Sequence, residues 1–176
     1  MRPKIDAPTS ALYALMALSL ALSLFWPVES YGTAVFEFDD PLSEWLGTGW
    51  SGAEELDGTT FMWVEGTIAG LEIPVLGARD RLVTFRAWSV PVDEGPPQTV
   101  TVKLNGVTIA HRLIGAAGAE YCALAPADAF RAQDNVLIFE LRYAVIPSVT
   151  DTRRLSAAFD WVRIIDVEPP DRARSP

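Results

Sequence analysis

The chain has a single cysteine, a single histidine and few basic residues: 14 Lys and Arg stand against 23 Asp and Glu, a formal charge of −9 over 176 residues. Cys122 alone excludes an internal disulfide and any cysteine-rich zinc or iron–sulfur site. It also lies far from the N-terminus, so the cysteine that carries the lipid of a bacterial lipoprotein is missing. His111 is the one candidate for a histidine-based general base, and no Gly-x-Ser-x-Gly turn accompanies it, so nothing supports a catalytic triad. The acidic balance repels phosphates, and no Lys/Arg cluster interleaved with aromatics stands out, so no nucleic-acid partner is expected.

Charge is absent altogether from Ala11 to Trp26, a run rich in Leu and Ala that follows Arg2 and Lys4 and ends at Pro27. Sixteen residues at helical rise give about 24 Å, somewhat short of a hydrocarbon core of roughly 30 Å. Val28 and Ser30 suit the −3 and −1 sites of a signal peptidase, whereas Trp26 suits an interfacial anchor residue. The reading adopted is a retained anchor in the inner (cytoplasmic) membrane. Arg2 and Lys4 precede the run, and Glu29, Asp39 and Asp40 follow it, so the tip stays cytoplasmic and the acidic body is extracytoplasmic, on the periplasmic side. Residues 1–30 form the tip and anchor, 31–167 an exported domain, and 168–176, with Pro169, Pro170, Arg172 and Arg174, a tail without apolar periodicity.

From Thr33 onward the apolar pattern shortens to segments of period near two, separated by Gly, Pro, Asn and Asp. Strands are expected at Thr33 to Phe38, Thr59 to Glu65, Thr67 to Val75, Arg81 to Ser89, Thr99 to Leu104, Val107 to Leu113, Ala119 to Leu124, Val136 to Tyr143 and Ala157 to Val167. Nine short strands without a long helix predict an all-β fold, a two-layer antiparallel β-sandwich preceded by one N-terminal hydrophobic helix. Asn105-Gly106 marks a two-residue hairpin turn, and Pro126 to Asn135 suits a helical turn between strands.

Paired-carboxylate hydrolysis would need two of the scattered acids Glu54, Glu55, Asp57, Glu65, Asp93, Glu94 and Asp160 brought together, and scattered acids are usually solvated surface. A structural calcium could draw oxygens from Glu37, from Asp39 or Asp40, and from Asp160; no other cofactor is implied. Five tryptophans lie in the exported part. Trp63, Trp88 and Trp161 fall inside expected strands and are read as core. Trp45 and Trp50 flank Gly47-Thr-Gly49 in a loop-like stretch, where contact with a ligand competes with plugging the core. Asp151-Thr-Arg153-Arg154 places an acid and two guanidinium groups at a turn, either as a structural ion pair or as a fork onto a ligand or partner subunit. The candidate binding residues are therefore Trp45, Trp50, Arg153 and Arg154.

The order Gly49-Trp50-Ser51, Glu54, Trp63, the hairpin at Asn105-Gly106, Asn135-Val-Leu-Ile-Phe139, Pro147, Asp151-Thr-Arg153-Arg154-Leu155 and Asp160 resembles that of the jelly-roll, galactose-binding-like domains appended to bacterial membrane glycosyltransferases and other exported proteins. The resemblance spans Phe36 to Ile165. It implies a jelly roll and a non-catalytic module that contacts glycans at the cell envelope. The chain departs from that setting in having one expected helix where a polytopic transferase would stand.

Two expectations follow. The first is a non-catalytic, membrane-anchored recognition module presenting loop aromatics and arginines to glycan; replacing Trp50 with Ala should then weaken polysaccharide retention without unfolding. The second is a single-helix accessory subunit of a larger membrane complex, for which Ala14, Ala17, Ser19, Ala21 and Ser23 would let a neighbouring helix approach.

Overall fold

The computed structural model describes residues 32–38, 44–74, 76–92 and 95–167. The expected N-terminal helix and C-terminal tail lie outside them. Among the described residues there is no helix long and apolar enough to cross a membrane.

Alternation produces the strands. Arg81–Ser89 buries every second side chain and leaves Leu82, Thr84, Arg86 and Trp88 half-exposed between them, the pattern of a strand with one face on a core. The described strands are β1 (Ala34–Glu37), β2 (Trp50–Leu56), β3 (Thr59–Glu65), β4 (Ile68–Ile73), β5 (Arg81–Ser89), β6 (Gln98–Leu104), β7 (Val107–Ile114), β8 (Ala119–Ala125), β9 (Asn135–Leu141) and β10 (Leu155–Asp166). A 3-10 turn, Ala127–Ala129, falls within the expected helical turn.

Positive φ at Asn105 (51°) and Gly106 (87°) makes the β6–β7 turn the expected type I′ hairpin. The same geometry recurs at Asp57 (52°) and Gly58 (76°), where it joins β3 to β2. Strand β2 was not expected, because the pattern Trp-Ser-Gly-Ala-Glu-Glu-Leu has no apolar alternation. A register shift between Trp50 and Ala53 explains why: the bulge breaks the period.

One sheet runs β2-β3-β10-β5-β8 and the other β4-β9-β6-β7. All pairings between named strands are antiparallel. The twelve-residue β10 carries β5 along one edge and both β3 and β1 along the other, β3 against Leu155–Phe159 and β1 against Trp161–Ile164. The inner faces meet in one core that includes Phe36, Phe38, Phe85, Leu104, Phe139 and Phe159. This is the two-layer sandwich expected.

Candidate functional site

The Gly-Trp-Ser motif is where the chain changes sheets. Residues 45–48 run beside β4: Leu46 bridges Leu71, Glu72 N–H donates to Trp45 O (2.8 Å), Gly47 N–H to Gly70 O (3.0 Å), and Gly70 N–H to Thr48 O (3.0 Å). Gly49 then turns the chain at φ +92°, in a space where a Cβ would lie 1.9 Å from Ile68 O. Trp50 is thereby driven between the sheets. Its ring centroid lies 4.9 Å from Phe38, 5.4 Å from Phe159 and 6.2 Å from Phe139, and Nε1 donates to Gly70 O at 2.7 Å. Ser51 Oγ accepts Trp63 N–H at 2.9 Å, stitching the bulge to β3. Trp45 is half-buried against the same core.

Arg153 is held by two acids. Nε and Nη2 fork onto Asp151 at 2.9 and 2.6 Å, and Nη1 reaches Glu54 on β2 at 2.6 Å. The hydrogen bond to Asp151, then that to Glu54, raises the pKa of the guanidinium above its ordinary value. Asp151 is lowered, by the Arg153 side chain first and by its backbone N–H second. Arg154 is exposed, and its carbonyl accepts Gly66 N–H at 2.7 Å. The four expected binding residues thus do not converge: one ring plugs the core, a second packs half-buried against it, Arg153 ties a loop to β2, and Arg154 faces solvent.

Of the expected calcium ligands, Asp39 lies outside the described residues. Glu37 and Asp160 line one cleft of about 220 Å³ with Thr59 and Thr60, at the gap where β1 ends and β3 begins along β10. Each carboxylate already has a guanidinium, Arg163 at 2.8 Å from Glu37 and Arg86 at 2.5 Å from Asp160. Among the described residues no three His, Cys, Asp or Glu side chains gather as a metal site would need.

Of the aromatics expected in the core, Trp161 is buried, 7% exposed, whereas Trp63 and Trp88 stand half-exposed on the outer face of the larger sheet. Met62 and Val64 take the inner positions of β3, so Phe61 and Trp63 point out; Phe85 and Ala87 do the same on β5 and turn Trp88 out. Phe61 meets Trp63 and Trp88 edge-on at 5.8 and 5.1 Å. Trp161 is covered on this face by the Arg163 guanidinium, 4.1 Å from the ring centroid. Beside Trp88 opens a cleft of about 340 Å³, lined by Leu56, Asp57, Thr59, Phe61 and Arg86 and closed by the β7–β8 turn. Gly118 of that turn sits close over the cleft, since a Cβ there would be 3.5 Å from both Arg86 Nη2 and Trp88 Cε3. The site therefore combines a half-exposed indole, a guanidinium, a carboxylate and a hydroxyl.

No protein-family model and no curated protein matches the sequence. Solved structures do share its fold. The Podospora anserina GH26-CBM35 β-(1,4)-mannanase aligns over 80% of this chain and 29% of its own, at 14% identity and a TM-score of 0.51. A family 35 carbohydrate binding module from Clostridium thermocellum aligns over 78% of this chain and 100% of its own, at 10% identity and TM-score 0.49. The CBM36-1 domain of a multidomain xylanase from the hindgut metagenome of Trinervitermes trinervoides aligns over 78% and 99%, at 12% and 0.46. The fold, a two-layer jelly-roll β-sandwich, is what the chain shares with them. At such identity the likeness is one of fold.

Within this jelly roll, the residues that carried the resemblance mostly shape the scaffold: Gly49 the sheet change, Trp50 the plug, Ser51 the bulge, Asn105-Gly106 a turn. The Trp88 cleft was missed as a site. Its sequence signal was Asp57-Gly58, a turn dipeptide that brings Asp57 and Thr59 beside Phe61.

Proposed function

We propose that this chain is a non-catalytic glycan-recognition module, anchored in the inner membrane by its uncharged N-terminal run, with the jelly roll on the extracytoplasmic side. The observation that carries the glycan reading is the cleft beside Trp88. A sugar ring has an apolar C–H face and a rim of hydroxyls. A half-exposed indole offers a platform to the first, and Arg86, Asp57 and Thr59 offer donors and acceptors to the second. The shared fold with structures named as carbohydrate-binding modules supports the reading. The anchor rests on the charge-free stretch from Ala11 to Trp26 and its flanks.

The test is binding of the detergent-solubilised full chain to an array of oligosaccharides and polysaccharides, followed by titration with any hit. Trp88→Ala should weaken binding at least tenfold, about 1.4 kcal/mol, with an unchanged circular dichroism spectrum. Retention of full affinity in that variant would reject the site. A chain that leaves native membranes only in fixed stoichiometry with another protein, and binds no glycan, would overturn the reading in favour of an accessory subunit.

A further inference from the structure

The start and the end of the sandwich are tied to one corner. Arg81, 1% exposed, opens β5. Its Nη1 donates to Gly32 O at 2.6 Å, its Nη2 to Leu76 O, and the guanidinium pairs with Asp166 at the end of β10. Phe130 lies against it, 5.6 Å from ring centroid to Cζ. The chain therefore enters at Gly32 and leaves after Asp166 at the same place.

On the outer face beside that corner, apolar side chains lie next to one another with no described residue over them. Ile165, Leu82 and Leu124 are cross-strand neighbours on β10, β5 and β8. Ile165 is 36% and Leu124 55% exposed. Two residues further along the strands, Arg163, Thr84 and Cys122 form the parallel row, with Val35 of β1 opposite Arg163 and 49% exposed. Val167, just past β10, adds 42%. Apolar side chains gathered on one face, rather than scattered singly, mark a contact surface.

We infer that this patch rests on the lipid surface, so that the jelly roll stands on the bilayer by its Arg81 end with the strands of the larger sheet steep to the membrane; the inference rests on the anchoring proposed above. The tether decides the occupant. Trp26, where the uncharged run ends, is six residues from Gly32, a reach of at most about 21 Å, so the patch cannot stray far from the lipid. Arg79 and Arg163 beside it are already paired with Asp166 and Glu37, so what the patch offers the lipid is apolar surface. The consequence concerns presentation: Trp88 is seven residues along β5 from Arg81, roughly 23 Å at strand rise. Because Trp88 shares its face of β5 with the patch, it is this steep stance, and not the face it lies on, that keeps the cleft in water.

Cys122, the only cysteine, lies in the patch and is exposed, so it reports its own environment. The full chain, labelled there with a polarity-sensitive fluorophore, is compared in phosphatidylcholine nanodiscs and in detergent. Iodide quenching at Cys122 should fall at least fivefold in nanodiscs. Quenching of a label at Ala116→Cys in a Cys122→Ser background, beside the cleft, should not change. Leu124→Glu should restore quenching at Cys122 without lowering the melting temperature. Equal quenching at both positions in nanodiscs overturns the docking while leaving the anchor intact. Protection that grows with protein concentration in detergent overturns it in favour of a second copy. A chain that does not incorporate into nanodiscs at all removes the anchor and the docking together.

Discussion

Asn135 is almost wholly buried at the start of β9, and every polar atom of its side chain is used. Its Oδ1 accepts Arg131 N–H at 2.7 Å and Asn105 Nδ2 at 2.8 Å, while its Nδ2 donates to Arg131 O at 3.0 Å. Asn105 continues the network, donating to Ala129 O and accepting from Val136 N–H. The two amides together thus fix the 3-10 turn, the β6–β7 hairpin and the start of β9. Asn135→Ala leaves buried donors without partners and should cost roughly 1–3 kcal/mol in urea denaturation. Trp50→Ala should cost about 3–5 kcal/mol, because the ring lies among Phe38, Phe139 and Phe159. The expectation that this variant folds normally is therefore replaced by a melting temperature far below the parent's. The Asp151–Arg153 contact has a pH signature. The carboxyl is depressed below its ordinary value of 3.8, so its contribution is complete above that value and is lost as pH falls through the lower folded value. Melting temperatures followed through that acid range should show this slope in the parent and not in Arg153→Ala.

Strands were legible where one face is buried and the other wet, as on β5, β6 and β9, whose burial alternates residue by residue. The bounds of β3 and β5 follow directly from their flanking turn residues. Strand β2 was not legible, since it lies at a sheet edge, is bulged, and buries only Ser51 fully. The turn that makes it was visible as Asp57-Gly58. Both type I′ turns put glycine at φ +76° to +87°, so Gly58→Ala and Gly106→Ala should each cost about 1–2 kcal/mol, read as a shift of the denaturation midpoint at constant slope. Gly118 differs, because it has negative φ and open contacts near 3.5 Å. A side chain there would fill the mouth of the Trp88 cleft, so on the proposed glycan reading Gly118→Leu should lower affinity in titration without a comparable loss of stability.

At the scale of the molecule, the sequence by itself determined the fold class. Period-two burial, Gly and Asn turns and the absence of any amphipathic helix admit little besides a sandwich, since each is a local property of the chain. It could not determine which side of each strand faces the partner sheet. Alternation divides a strand into two sets of side chains but does not say which set is covered. Trp63 and Trp88 have the same local pattern as the core residues beside them, and only the long-range pairing of β3, β10 and β5 turned them outward. The reverse holds for Trp50, which a glycine-flanked position suggests is free and which the passage from one sheet to the other pushed inside. The site was decided by tertiary structure for the same reason: its residues come from β2, β3, β5 and the turns between strands, and nothing within any one of those segments specifies that they meet.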